Sequence, residues 1–228
     1  MEKIIKAVIF DLDGVIIDSN PEIEKFWHHW AVKTERQLSR KNIIEHIHGR
    51  KGVETVEALF NDIITETKEE IIKEAIEFDS KMKPKQVRGI HHFIQTLTQL
   101  NIPIGLVTSS HKKRALLMLQ KQNLQDNFIA HVTAEDVMNG KPNPEPYITI
   151  AKKLNQEADN CLVFEDAISG VISAKVAGME VIGINTDEAA NELLKNGAIS
   201  VISNFDEIRV EHYELHIKND ITYFLQAL

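Results

Sequence analysis

Apolar and polar positions along the chain fall into two patterns. Short continuous apolar runs, such as Ile4-Ile5-Lys6-Ala7-Val8-Ile9-Phe10, are rich in β-branched residues. They are long enough for one strand and too short for a stable helix. With so little polar alternation they suit strands buried on both faces of a parallel sheet. Further strands are expected over 102–107, 131–133, 161–164, 180–184 and 200–203. Helical spacing marks 90–100, 112–122, 147–154 and 171–177, the last closed by Gly178. Alternating strand and helix predict an α/β fold, a doubly wound, Rossmann-like parallel sheet.

One interval breaks the alternation. Between Asn20 and Lys83 nothing reads as a strand. Asn20 as N-cap with Pro21 at the first helical position opens a helix carrying Ile23, Phe26, Trp27 and Trp30. The helical pattern resumes over 43–83. Val53, Val56, Leu59 and Phe60 form a stripe that Ile63 and Ile64 extend, and a second helix over 68–82 shows a solvated Glu/Lys face. An all-helical cap over residues 18–85 is therefore expected, inserted into a core made of residues 1–17 and 86–228. Trp27 and Trp30 should pack one helix on another. His28 and His29 have no partner at metal-ligand spacing.

Composition narrows the class. The chain has 228 residues, 43% hydrophobic, with a net charge of -8 and one cysteine. An acidic balance argues against nucleic acid as a partner, since phosphate backbones need a basic footprint. A lone Cys161 excludes an internal disulfide and a multi-cysteine zinc site, and its apolar run predicts a buried, inert thiol. No apolar run reaches membrane-spanning length and no signal-peptide pattern opens the sequence, so the reduced cytosol is the expected compartment.

The chemistry sits at strand ends. In an open α/β sheet, ligands bind at the carboxyl ends of the strands. The first strand runs into Asp11-Leu12-Asp13-Gly14-Val15. Taken alone, Asp-x-Asp-Gly is also an ordinary strand-ending turn. Two more strands end in polar groups, however: Thr108 and Ser109 after one, Glu165 and Asp166 after the other. Lys141 lies between Gly140 and Pro142 in a stiff loop over 140–146. Four carboxylates, one ammonium and a hydroxyl pair at one sheet edge suit a divalent cation together with a phosphate. Mg²⁺ prefers such oxygen ligands, Lys141 supplies a point charge, and a helix start after Ser109 offers an anion cradle.

With these four motifs in order, the chain resembles the haloacid-dehalogenase superfamily of aspartate-nucleophile phosphotransferases nearly end to end. The motifs are Asp11-Leu12-Asp13-Gly14-Val15, Val107-Thr108-Ser109-Ser110, Gly140-Lys141-Pro142-Asn143-Pro144 and Phe164-Glu165-Asp166-Ala167-Ile168-Ser169-Gly170. The helical insertion resembles the cap of the β-phosphoglucomutase-like branch. The dehalogenases themselves lack the second aspartate, so Asp13 points to phosphate chemistry. The resemblance implies a phosphatase with Asp11 as nucleophile and Asp13 as acid and then base. It implies Mg²⁺ held by Asp11, the carbonyl of Asp13 and Asp166, with Glu165 nearby or coordinating. Thr108, Ser109 and Lys141 would grip the phosphoryl group. Asp13 is expected to start protonated, through repulsion from the neighbouring carboxylates.

Within the branch the chain is most similar to glycerol-3-phosphatases and sugar-phosphate phosphatases. The segments that carry this are Pro21-Glu22-Ile23-Glu24-Lys25-Phe26-Trp27, His46-Ile47-His48-Gly49, the Lys141 loop through Tyr147, and Glu207-Ile208-Arg209-Val210. The alternative is a phosphosugar mutase. By ungapped count Ile23 stands where mutases carry a cap histidine, and Gly52 stands near their cap arginine. Arg50 and Lys51 are the nearby candidates for substrate contact; equally, they fit a solvated turn. The expected partner is a small phosphorylated metabolite, and the expected state is a monomer or weak homodimer.

Overall fold

The structure, a computed structural model, describes residues 3–185, 189–218 and 221–227. The remaining positions of the expected core span lie outside the described residues. The chain opens with strands β1 (Ile4–Ile5), β2 (Ala7–Phe10) and β3 (Ile17–Asp18). Helices α1 (Asn20–Lys33), α2 (Arg40–His46), α3 (Gly52–Leu59) and α4 (Thr65–Lys81) follow, then strand β4 (Lys85–Gln86). Helix and strand alternate through α5 (Ile90–Gln99), β5 (Ile104–Val107), α6 (Lys112–Lys121), β6 (Ala130–Val132), α7 (Glu145–Lys153) and β7 (Cys161–Glu165). The alternation continues through α8 (Ile168–Val176), β8 (Glu180–Ile184), α9 (Ala189–Lys195) and β9 (Ser200–Ile202). The last strands are β10 (Ile208–Glu211), β11 (Glu214–Ile217) and β12 (Ile221–Leu225).

Six strands make one sheet in the order β6-β5-β2-β7-β8-β9, and every pairing in it is parallel. This is the doubly wound α/β core that the alternation predicts. Strand β2 lies near its middle and shows how both faces are filled. Val8 and Phe10 point into one apolar cluster with Phe93, Leu106 and Phe164; Ala7 and Ile9 point into the other with Tyr147, Val163 and Val171. Successive side chains of a strand face opposite ways, so an unbroken apolar run feeds two cores. The Cys161 thiol is buried, and burial pushes its pKa up to about 12. Among the described residues no helix is long and apolar enough to cross a membrane.

Helices α1 to α4 gather around their own cluster of Trp27, Trp30, Ile43, Val56, Phe60 and Ile71. Trp27 meets the Phe60 ring at 6.0 Å, so the tryptophans pack helix on helix as expected, while His28 and His29 are exposed. The chain enters and leaves this group through the antiparallel pair β3–β4, with Ile17 opposite Gln86 and Asp18 opposite Lys85.

Some local readings need correction. The first apolar run is two strands: Lys6 donates its amide to Asn160, and the chain changes sheets there, β1 pairing with β12 and β2 with β5 and β7. Helix α1 starts one residue early, with Ser19 as the flanking residue, which frees the Asn20 side chain for the site described below. The stripe over 53–64 does not hold as one face. Helix α3 ends at Leu59, the chain turns, and Val53 and Ile64 are left exposed. The three C-terminal strands form a four-stranded sheet with β1, in the order β1-β12-β11-β10, and Leu215, Ile217, Tyr223 and Leu225 join the core.

Candidate active site

Parallel register turns distant sequence into adjacent side chains. Phe10 is level with Leu106 on one side and Phe164 on the other. The residues that follow these strands therefore emerge together at the sheet's carboxyl edge. Asp11 donates its amide to the Phe164 carbonyl at 3.0 Å, which fixes the first turn beyond β2. Asp11, Thr108, Lys141, Glu165 and Asp166 are all buried.

Lys141 is the hub. Its Nζ lies 2.6 Å from Asp11 Oδ1, 2.5 Å from Glu165 Oε1 and 3.3 Å from the Val107 carbonyl. Glu165 is engaged on both oxygens. Oε1 also accepts from the Tyr147 hydroxyl at 2.8 Å, and Oε2 from the amides of Asp166 and Ala167 at 3.0 and 3.1 Å. A Cβ on Gly170 would fall 1.8 Å from Glu165 Oε1, so only glycine leaves room for this arrangement. Asp11, Glu165 and Asp166 each offer a carboxylate oxygen within 4.8 Å of the others. Asn20 Nδ2 donates to Asp166 Oδ2 at 2.6 Å. Gly14, at φ +74°, lets the chain turn beneath; a Cβ there would meet Asp166 Oδ2 at 2.1 Å.

One ammonium does not balance three buried carboxylates. Burial raises the Asp11 pKa to about 7; Lys141 opposes this and Glu165 adds to it. Burial, then Glu165 and Asp11, push Asp166 well above the usual carboxylate range. Lys141 goes the other way. Burial alone would lower it, but Asp11 and Glu165 hold it charged above the ordinary lysine value.

Asp13 departs from expectation. Its carboxylate turns away from this cluster into the guanidinium fork of Arg114, at 2.6 and 2.7 Å. Ser19 donates to Oδ1 at 2.5 Å and Ser110 to Oδ2 at 3.3 Å. Burial alone would raise the Asp13 pKa; the Arg114 charge and these hydrogen bonds bring it below the ordinary value. Like-charge repulsion is therefore not what governs Asp13, and in this arrangement it is ionised. Arg114 Nε forms an ion pair with Asp79 on α4, at 2.9 Å, so one buried guanidinium joins the sheet edge to the cap helices. The sequence reading missed both Arg114 and Asp79. In a Lys112-Lys113-Arg114 run and an acid-rich helix, each looks like a solvated surface charge.

The remaining expected residues also lie here. Thr108 Oγ1 accepts from the Ser110 amide at 3.1 Å. The Ser109 hydroxyl donates to the Gly49 carbonyl across the cleft at 2.8 Å. Arg50 is not a solvated turn residue: its Nη1 donates to the Lys141 carbonyl at 2.9 Å. Lys51 reaches the Ala134 carbonyl at 3.4 Å. Between cap helices and sheet edge is a cavity of about 520 Å³, with Asp11, Asp13, Thr108 and Ser109 at one end and Arg50 and Lys51 in its wall.

The family model described as haloacid dehalogenase-like hydrolase matches residues 8–184. A phosphorylated carbohydrates phosphatase of Thermotoga maritima is 31% identical, over 86% of this chain and 94% of that one. A β-phosphoglucomutase of Bacillus subtilis is 32% identical over 78% and 83%. A solved HAD hydrolase, family IA, variant 3, from Entamoeba histolytica superposes with a TM-score of 0.76 at 30% identity, covering 90% of this chain and 96% of that chain.

Proposed function

The chain belongs to the haloacid dehalogenase-like hydrolase family, and from that we propose a Mg²⁺-dependent phosphatase that hydrolyses a small phosphorylated metabolite through a phosphoaspartate on Asp11. The observation that carries this reading is the placement of Asp11 against Lys141, 2.6 Å apart and buried, with Asp11 at one end of the cavity between cap and sheet edge. Glycerol and sugar phosphates are the substrate class that the sequence resemblance and the Thermotoga maritima relative's name bring forward.

The residues fit a divalent cation. Three buried carboxylates within 4.8 Å share one ammonium, and the raised Asp11 and Asp166 mark missing positive charge. Asp11, Asp166 and the Asp13 carbonyl would hold the ion, with Glu165 beside it because both its oxygens already accept hydrogen bonds. Bound there, Mg²⁺ supplies charge neutralisation for phosphoryl oxygens.

The protein's own groups divide the work. An Asp11 oxygen attacks phosphorus in line, the ester P–O bond breaks, and the leaving alkoxide takes a proton from Asp13. Asp13, now ionised, accepts a proton from water as that water attacks the phosphoaspartate, releasing phosphate and restoring Asp11. The grip of Arg114 keeps Asp13 in the ionised form that the second half-reaction uses. The first half-reaction requires Asp13 to leave the fork and carry a proton. Lys141 and Thr108 offset phosphoryl charge that would otherwise repel a carboxylate nucleophile. Hydrolysis fits better than mutase chemistry: Ile23 packs among apolar neighbours and Gly52 offers no side chain for a second phosphate.

Purified protein is expected to release phosphate from 4-nitrophenyl phosphate with Mg²⁺, to stop in excess chelator, and to recover when Mg²⁺ is restored. Equal rates with and without chelator would remove the metal from the reading; no release under any condition would remove the phosphatase. The charge imbalance also sets a pH dependence. Asp11 and Asp166 have folded pKa values raised above their unfolded ones, so the folded state binds more protons. The Asp11 contribution is full below about pH 4 and is lost as pH rises through about 7, and the raised Asp166 acts in the same direction. In chelator, the melting temperature should be lower at pH 8 than at pH 5.5, and Mg²⁺ should narrow the gap. A melting temperature that climbs over that range in chelator contradicts the charge assignment.

A further inference from the structure

The cavity has a second property, apart from its phosphate end. Its cap side is walled by Phe26, Trp27, Val53, Ile72, Ile76 and Phe78. Val53 and Ile76 are 56% and 58% exposed, large apolar side chains left uncovered on a wall of this cavity. Small-molecule sites are commonly apolar, so the lining alone does not name a ligand. A polyol site is set apart by its supply of partners for hydroxyl groups, since a hydroxyl taken from water and left unpaired is unfavourable.

Much of the neutral part of that supply is committed within the protein. The Thr55 hydroxyl donates to the His46 carbonyl at 2.6 Å, and the Ser109 hydroxyl to Gly49 at 2.8 Å. Ser80 donates to the Glu77 carbonyl at 2.7 Å. His48 Nε2 is 2.9 Å from Glu24 Oε1, and Asn20 is held by Asp166. Asp79 and Arg114 hold each other. Arg50 gives one N–H to the Lys141 carbonyl at 2.9 Å and faces Glu54 with its Nε at 3.5 Å. A chain of hydroxyls extending from Asp11 towards the cap would meet mostly engaged polar groups and open hydrocarbon, with Lys51 and Lys113 the cations beside them.

We propose that the alcohol portion of the natural phosphomonoester is an apolar body, aromatic or branched aliphatic, which covers Val53 and Ile76 when the phosphate lies at Asp11. This rests on the phosphatase reading and narrows its substrate class away from the sugars and polyols that resemblance suggests. The phosphate end fixes the reacting atoms, and the cap wall selects what they are attached to.

The test compares esters of primary alcohols, so that the leaving groups are alike: benzyl phosphate against glycerol 3-phosphate and glucitol 6-phosphate, each with Mg²⁺. The kcat/KM for benzyl phosphate should exceed that for either polyol ester at least ~10-fold, a difference an apolar wall readily supplies. The double variant Val53→Asn with Ile76→Asn changes exposed positions and should fold. It should lower the benzyl-to-glycerol ratio at least ~5-fold, by removing apolar contact. Equal or better kcat/KM on either polyol ester, or an unchanged ratio in the double variant, overturns the proposal while leaving the phosphatase reading in place. A protein inert on all three esters and on 4-nitrophenyl phosphate overturns both.

Discussion

Asp11→Asn protein should lose turnover by about 10⁴-fold or more, the scale that follows when the nucleophile of a covalent mechanism is removed. The amide keeps the size of the carboxylate but does not attack phosphorus. The fold should survive, for a reason visible in the site. Wild-type protein crowds Asp11, Glu165 and Asp166 within 4.8 Å around one ammonium. Removing one of the three negative charges relieves repulsion, and Lys141 keeps Glu165 as a partner at 2.5 Å. The melting temperature in chelator should therefore stay level or rise at pH 8, and stabilisation by Mg²⁺ should shrink. Activity and stability move in opposite directions, which a merely structural aspartate would not produce. Wild-type turnover in this variant would end the nucleophile assignment.

The legible parts of this protein were those written in continuous runs. A strand buried on both faces is an unbroken apolar stretch, so the residues after Phe10, Val107 and Phe164 announce themselves as strand ends, although β7 itself runs one residue further, to Glu165. The parallel sheet then brings those ends into one row, and Lys141 falls among them. The helical interval was equally plain, because nothing in it alternates with period two.

What was missed depends on contacts rather than on runs. Arg114 belongs to a basic stretch, and only the packing of α6 against α4 buries it between Asp13 and Asp79. Repulsion among carboxylates was a reasonable physical expectation for Asp13, yet a two-pronged guanidinium overrides it; such charge-assisted pairs are strong and directional. The same limit applies to Val53. A 3.6-residue stripe assigns it to a core, whereas in the fold it is exposed on the cavity wall. The C-terminal ribbon is a different case. Its strand signal is an alternation of period two, with Leu215, Ile217, Tyr223 and Leu225 buried, and not a continuous apolar run.

Lys141→Met should do the most damage to fold and chemistry together. Lys141 is 2% exposed and touches two carboxylates and a carbonyl. Removing one partner of a buried ion pair leaves uncompensated charge, a loss of about 3–5 kcal/mol in stability. Catalysis should fall by ~10²–10³ in kcat, the scale for removing one preorganised electrostatic contact to the transition state. The stability loss has a sign with pH. Without the ammonium, Asp11 is driven further towards its neutral form, so the folded state takes up a proton more readily and the variant is penalised less at pH 5.5 than at pH 8. Adding Asp11→Asn to Lys141→Met removes one of the two carboxylates left without their cation, and should return part of the lost stability. The cycle of two single variants and the double variant, measured by urea unfolding, isolates that coupling. Strictly additive losses would mean that Lys141 does not act through Asp11, and the charge arrangement at the centre of the site would need to be redrawn.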